Sequence, residues 1–322
     1  MIVTLTANPS LDRTVNLTAP LERGAVQRAQ SVISQAGGKG VNISRACVAA
    51  DLPSIAVLPA AKDDPFVLEL LAAGIDCRPV EHEGDLRVNI TITEPDGTTT
   101  KLNSPGPRAT PRLLAELEEA LVRRAPTADW TVLAGSLPPG TPPEWYAELV
   151  SALRAAGARV AVDTSDEPLQ ALVEAISCKP ECAPSLMKPN GAELASLTGH
   201  EEDALEADPV AAAEAARDLV AQGVDSVLVT LGPRGAVLVS AGGAWHAVPP
   251  PVNVVSTVGA GDSSLFGYLL GDVRGHEPDR RLALAVAYGS AAAGLPGTTI
   301  PHPRQVHPDQ VRVTRLDLPT EG

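Results

Sequence analysis

Val254-Val-Ser-Thr-Val-Gly-Ala-Gly-Asp262-Ser-Ser264 runs directly into the apolar stretch Leu265-Phe-Gly-Tyr-Leu-Leu270. A turn of small residues opening onto a helix aims several backbone N–H groups at one point, and the helix dipole adds partial positive charge there. Such a point suits an anion, a terminal phosphate above all, with Asp262 in the first turn as the one acid able to orient a nucleophile. Taken alone, an ordinary N-cap explains the stretch better, since glycine turns followed by Asp start many helices. The surrounding chain decides between the two.

Upstream of this turn, strand patterns near 130–134, 159–163, 185–188 and 226–231 alternate with helical ones near 111–124, 143–156, 167–176, 191–197 and 209–222. A hairpin at 235–240 and 244–248 leads into the turn, and a last helix follows near 279–293. Buried β-branched strands alternating with helices predict an α/β fold, an open, mostly parallel sheet flanked by helices on both faces. Ile2–Thr6, Ser54–Ala60 and Ile75–Val80 fit the same sheet, with helices over 41–50 and 65–73. Two amphipathic strand pairs, about 12–35 and 86–104, do not fit it. They read as a small β lid inserted in a single domain spanning 1–322, with the tail from 301 as a surface extension.

Composition narrows the function. The chain has 322 residues, 44% apolar and 20% charged, and a net charge of −14. That balance argues against a nucleic-acid surface, which needs a basic face, and no apolar run reaches the length of a membrane span. The start, Met-Ile-Val-Thr-Leu-Thr, reads as a buried strand rather than a signal peptide. Cys47, Cys77, Cys178 and Cys182 show no paired framework, and Cys178-Lys-Pro-Glu-Cys182 lacks the second pair of a zinc site. Reduced thiols in cytoplasm are expected. There is no G-x-x-x-x-G-K-[ST] loop, no G-x-G-x-x-G after the first strand, and no His within a glycine motif.

Four further stretches carry chemistry. Gly37-Gly38-Lys39-Gly40-Val41-Asn42 is a second glycine turn at a helix start, with a cation and an amide in the first turn; a tight turn with a surface lysine is the plainer account. Thr131–Gly140 ends a strand in a rigid loop, where open α/β sheets bind ligands, although a simple Pro-Gly turn looks the same. Lys188-Pro189-Asn190-Gly191-Ala192-Glu193 sets an amide and a carboxylate three apart at a helix start, either a ligand face or a capping pair. Leu231-Gly-Pro-Arg-Gly235 is a turn whose glycines would let a flat ring or phosphate approach the backbone.

Together these residues resemble the PfkB/ribokinase family of carbohydrate kinases over about 1–300. The motifs fall in the family's order: Asn8-Pro-Ser-Leu-Asp12, Gly37-Gly-Lys-Gly, Arg87-Val-Asn, Gly135-Ser-Leu-Pro-Pro-Gly, Lys188-Pro-Asn-Gly-Ala-Glu193, Leu231-Gly-Pro-Arg-Gly and Ser256-Thr-Val-Gly-Ala-Gly-Asp262-Ser. The resemblance implies a ribokinase-like fold and ATP-dependent phosphorylation of a phosphorylated ketohexose. Fructose 1-phosphate, giving fructose 1,6-bisphosphate, comes first; kinases of tagatose 6-phosphate and fructose 6-phosphate share most of the motifs, and a non-catalytic phosphosugar sensor is a remote alternative.

It further implies roles for particular residues. Gly259, Ala260 and Gly261 would form the anion hole and Asp262 the base; Asp12, Gly37, Gly38, Asn42, Asn89 and Ser136 would hold the sugar. Lys39 and Arg87 would grip the phosphate already on it, and Lys39 favours a 1-phosphate because the 6-phosphofructokinases more often carry Gly there. Lys188, Thr230, Gly232, Gly235 and Thr257 would line ATP, and Asn190 with Glu193 would organise Mg²⁺ through water. A helix N-terminus lowers a carboxyl pKa, so Asp262 is expected to be a weak base. Adenine is expected between small aliphatic side chains, as aromatics are 2% of the chain. Ser264, where the family pattern is apolar, should bear on helix packing, and a homodimer is expected through the lid.

Overall fold

The structure, a computed structural model, describes residues 1–318. In chain order the strands are β1 (Ile2–Thr6), β2 (Ser10–Leu17), β3 (Ala29–Gly37), β4 (Ser54–Pro59), β5 (Asp76–Val80), β6 (Arg87–Thr93), β7 (Thr99–Asn103), β8 (Trp130–Ala134), β9 (Val160–Asp163), β10 (Leu186–Met187), β11 (Ser226–Thr230), β12 (Ala236–Ser240), β13 (Gly243–Val248) and β14 (Arg312–Leu316). The α-helices are α1 (Lys39–Ala49), α2 (Pro65–Ala72), α3 (Pro111–Val122), α4 (Trp145–Ala155), α5 (Asp166–Cys178), α6 (Gly191–Thr198), α7 (Glu202–Ala207), α8 (Pro209–Ala221), α9 (Ala260–Val273) and α10 (Pro278–Ala293).

Ten strands form one sheet in the order β14-β13-β12-β11-β10-β9-β8-β1-β4-β5. Pairing is parallel from β5 to β11 and antiparallel from β11 to β14. Every residue of β1 is buried, as a strand covered on both faces requires. The chain leaves β1 towards β4 on one side and returns to β8 on the other, so the strand order reverses beside β1. Crevices form at such a reversal, outside the carboxyl ends of the strands. Asn8, Gly135, Asp163, Lys188 and Leu231 all lie just at or beyond those ends.

One face of the sheet packs α3, α4, α5, α6 and α8 around Val3, Leu5, Leu133 and Val162. The other packs α1, α9 and α10 around Ile2, Val132, Ala134 and Ala161. Asp163 shares the parity of Ala161 and so belongs to the α1–α9 face. Helix α9 is apolar nearly all round because it is covered by the sheet and by α10. Gly267 permits the second contact, since a Cβ there would lie 2.5 Å from the Leu284 carbonyl oxygen. Ser264 sits buried in the same interface, where a Cβ added at Gly289 would lie 3.2 Å from its own Cβ.

The two amphipathic strand pairs form a separate four-stranded sheet, β3-β2-β6-β7. Its register sets Gln35, Asp12, Asn89 and Asn103 in one row across one face. The opposite face carries Leu11, Val15, Val32, Val88, Ile90, Ile92 and Leu102.

The tail departs from expectation. It does not lie loose on the surface: β14 pairs antiparallel with β13 from Ala244↔Leu316 to Val248↔Arg312, and Val306 and Val311 are buried. As an edge strand with polar residues on its open side, it carries too weak an apolar alternation to announce itself. The short acidic helix α7 was also unforeseen, and the last four residues of the expected tail, 319–322, lie outside the described residues.

Candidate active site

The first glycine turn closes on the small sheet. Gly38 adopts φ 128°, open to glycine, and a Cβ there would strike Thr6 Cγ2 at 2.5 Å. At Gly37 a Cβ would lie 2.1 Å from Asp12 Oδ2, so the Asp12 carboxylate is pressed against bare backbone. Ser10 Oγ and Asn89 Nδ2 donate to Asp12 Oδ1 at 2.8 and 3.1 Å, fixing its plane. Arg87, two residues before Asn89 and on the same face, donates from Nη1 to the Ser104 carbonyl at 3.4 Å. Burial draws its pKa below the ordinary value, against the pull of the Asp12 charge. Arg87 Nε and Asn89 Oδ1 are buried without a partner, a donor and an acceptor that a polar ligand would satisfy. Asn8 Nδ2 ties the loops behind them together, donating to Pro105 O at 3.1 Å and Leu137 O at 3.4 Å.

The second glycine turn meets the first directly. Gly259 takes the left-handed conformation at φ 80° and releases the chain into α9. Asn42 Nδ2, in the first turn of α1, donates to Asp262 Oδ2 at 2.8 Å. The N-termini of α1 and α9 therefore face one spot, and Asp262 is buried between them at 6% exposure.

Beside it stands Asp163, which the motifs did not reveal. It is 1% exposed at the end of β9, accepts from Lys39 Nζ at 2.8 Å, and lies 3.2 Å from Lys188 Nζ in an ion pair that is not aligned as a hydrogen bond. Burial alone would raise the Asp163 pKa, but the charges of Lys188 and Lys39 outweigh it and hold the carboxyl below its usual range. Burial likewise pulls Lys39 down, yet Asp163 and then Asp262 keep it well above its ordinary value. For Asp262 the balance goes the other way. Burial, then repulsion from Asp163, push it up to about 6 against Lys39, the Asn42 bond and Lys188. The weak base expected from the helix dipole is corrected: a partial charge at a helix end is smaller than the cost of burying a carboxylate beside another.

Lys39 is placed at the meeting point of the two helix starts, bonded to Asp163, while Arg87 stays with Asp12 and Asn89 on the small sheet. Gly261 completes the station of Lys188, as a Cβ there would sit 3.5 Å from Nζ. Ala260 opens the helix, its N–H donating to Thr257 O at 3.3 Å.

On the far side, Asn190 and Glu193 form a full capping box. Glu193 Oε2 accepts from Asn190 N and Asn190 Oδ1 from Glu193 N, both at 2.8 Å. Glu193 is still near enough for its charge to raise Lys39, and Oε1 is outside the box. These oxygens keep free lone pairs, so they fit a hydrated Mg²⁺ held through water. Thr230 forms a parallel bridge with Asn190, and the turn that follows is closed by Leu231 N donating to Gly235 O at 2.8 Å. Gly232 has φ 53° and Gly235 φ 90°; a Cβ at Gly235 would lie 1.9 Å from Ala247 O, so no other residue fits. Val254 and Val255, exposed by 59% and 56%, lie on the approach to the anion turn. Ser136 is exposed in the loop after β8, whose Gly135 carbonyl is pinned by Tyr146 OH and Thr164 Oγ1 at 3.0 Å each.

Comparison with known proteins agrees with this arrangement. The profile of the pfkB family of carbohydrate kinases matches residues 5–305. The 1-phosphofructokinase of Rhodobacter capsulatus is 36% identical, over 99% of this chain and 98% of its own. That of Xanthomonas campestris pv. campestris is 34% identical, over 96% and 95%. Among solved structures, phosphofructokinase-2 of Escherichia coli in complex with substrates and products aligns with a TM-score of 0.84 at 30% identity, over 94% of this chain and 96% of that one.

Proposed function

The chain belongs to the pfkB family of carbohydrate kinases, and we propose that it moves the γ-phosphoryl group of ATP onto the 6-hydroxyl of fructose 1-phosphate, giving fructose 1,6-bisphosphate and ADP. The observation that carries this is the 2.8 Å bond between Asn42 and Asp262. It makes one cleft of two glycine-lined helix starts, one for the transferred phosphate and one for the acceptor.

The transition state of phosphoryl transfer is loose, so the protein's work is to position groups and neutralise charge. The turn Gly259-Ala260-Gly261 receives the γ-phosphate with the N–H groups of Gly259 and Gly261, since that of Ala260 is already bonded to Thr257 O. Lys39 and Lys188, pinned from below by Asp163, present two positive charges to the oxygens around it. Asp262 accepts the proton of the sugar hydroxyl as the O–P bond forms and the bond to the β-phosphate oxygen breaks. A carboxyl poised near 6 is ionised at neutral pH yet basic enough to hold that proton. Asp12, Asn89 and the Gly37–Gly38 backbone orient the sugar, with Asn42 and Ser136. Arg87 grips the phosphate it already carries, as a bidentate donor. Thr230, Gly232, Gly235 and Thr257 line the nucleotide. Mg²⁺ organised through water by Asn190 and Glu193 would shield the phosphate oxygens.

An ADP-release panel of fructose 1-phosphate, fructose 6-phosphate and tagatose 6-phosphate, with fructose as control, tests the assignment. Fructose 1-phosphate should give the largest kcat/KM; turnover of none of the phosphosugars would overturn it. Arg87→Ala should raise KM for the phosphosugar at least about tenfold while KM for ATP stays within about twofold, because only the acceptor meets that guanidinium. An equal rise in both would remove Arg87 from the acceptor phosphate.

The apolar face of the small sheet supports a homodimer in which two such faces pair, the polar faces turning to the two sites. Val32 and Leu102 are 55% and 54% exposed on it, and contiguous exposed apolar side chains mark interaction surfaces. Light scattering should give twice the 33.2 kDa chain mass, and Ile90→Asp should reduce it to the monomer. A monomeric wild type would reject the pairing.

A further inference from the structure

At the end of the sheet opposite the site, one carboxylate gathers four elements. Asp272, in the last turn of α9, accepts from Trp130 Nε1 at 2.8 Å and from Arg159 Nη1 and Nη2 at 2.5 and 3.0 Å. It also pairs with Arg281 Nη1 of α10 at 2.7 Å. The Arg159 guanidinium lies 4.0 Å from the centroid of the Trp130 ring, and Trp130 meets Tyr268 of α9 edge-on at 6.5 Å. Trp130 opens β8. Arg159 immediately precedes β9, and its carbonyl accepts from Thr131 N at 2.9 Å. The three elements joined here are those that carry the site at their other ends: β8 leads to the Gly135 loop, β9 to Asp163, and α9 begins with the anion turn and Asp262.

We propose that the Arg159–Asp272 pair is a positioning device for phosphoryl transfer, fixing how far α9 lies along β8 and β9 and so the separation of Asp262 from Asp163. This rests on the phosphosugar kinase reading above. Asp262 and Asp272 are about 15 Å apart along the helix, and Arg159 and Asp163 about 13 Å apart along the strand. Between those ends the core is apolar, and Leu265 and Leu269 of α9 share one buried cluster with Val132, Ala134 and Ala161. Apolar contact is non-directional and sets the register of a helix along a sheet less sharply than directed bonds do. A bidentate guanidinium–carboxylate pair sets it sharply, since its two parallel bonds tolerate little displacement. The pair is partly buried, with Asp272 inside and Arg159 half exposed; an ion pair of this kind adds little net stability over apolar packing, and fixing register is its better-attested use. Rigid elements then carry that register to the far end.

The test compares wild type, Arg159→Met and Arg159→Lys. Methionine keeps bulk over Trp130 and leaves Asp272 with Trp130 and Arg281; lysine keeps the charge but loses the fork. In folded Arg159→Met, kcat for phosphosugar phosphorylation should fall at least about tenfold, with both KM values within about twofold. The acid limb of the kcat/KM profile should move to lower pH by about half a unit or more. That limb reports Asp262, which is faced by Asp163 from β9, Lys188 from beyond β10, and Lys39 and Asn42 from α1. Letting Asp163 draw away weakens the repulsion on it. Arg159→Lys should recover part of kcat and part of the limb. A lowered Tm with kcat and acid limb unchanged would overturn the proposal, as a merely structural pair predicts. Should the methionine variant not fold, the lysine variant decides by the same two readouts. Wild type that turns over no phosphosugar would instead reject the kinase reading itself.

Discussion

Asp262→Asn should bind ATP and the phosphosugar with nearly unchanged affinity and turn over at least about 10²-fold more slowly, the scale of a positioned acid–base group. The amide can still accept from Asn42, whose bond to Oδ2 is 2.8 Å long, so the cleft stays closed while its proton acceptor is gone. In the wild type, kcat/KM should fall about tenfold per unit as pH drops below about 6, because the base must be ionised and its pKa is pushed up to about 6. The variant should lose that limb. Stability should move oppositely. A carboxyl raised from 3.8 to about 6 on folding contributes stability that is present below the unfolded value and lost as pH rises through the folded one. At neutral pH the native protein therefore carries an unfavourable charge that the amide removes, and Tm should rise by a few degrees, about what such sites give when function is surrendered. Wild-type turnover in the variant would take Asp262 out of the mechanism. A preserved acid limb would assign that limb to another group.

Asp163→Asn should be nearly as damaging, for a different reason. Asp163 holds Lys39 at 2.8 Å and Lys188 at 3.2 Å, and both ammonium groups already attract Asp262. Without the lower carboxylate they turn to Asp262, with Glu193 still acting on Lys39, so the base is drawn into a salt bridge and its pKa falls. We expect kcat to drop at least about 10²-fold, with the acid limb moving to lower pH as repulsion from Asp163 vanishes. A limb that stays near 6 would show that Asp163 does not set the basicity of Asp262. Removing one member of a buried charge cluster also destabilises, so circular dichroism and Tm belong beside the kinetics.

The sequence spoke clearly about what depends on local pattern. Glycines at 37, 38, 259 and 261 mark close approach and helix starts, and the alternation of apolar strands with helices marks a parallel sheet. It was silent where a residue acts only through the fold. Asp163 lies in no motif; its one signal is an acid ending the buried run Val160-Ala-Val, which in a parallel sheet puts a carboxylate at the ligand end. The partners of Lys39 and Arg87 were not legible either, because both are cations beside sugar-binding motifs and only the fold brings Asp163 to Lys39 and Asp12 near Arg87. The basicity of Asp262 was misjudged for the same reason. Helix position is written in the local sequence, whereas burial and the neighbour from β9 are not. β14 went unseen because an edge strand needs only half an apolar alternation.

That last strand bears on how the chain is made. Until residues 312–316 leave the ribosome, the outer edge of β13 has no cover, although β12 and β11 behind it can already pair. A chain without residues 312–316 would present a bare strand on its flank, an open template for joining neighbouring chains.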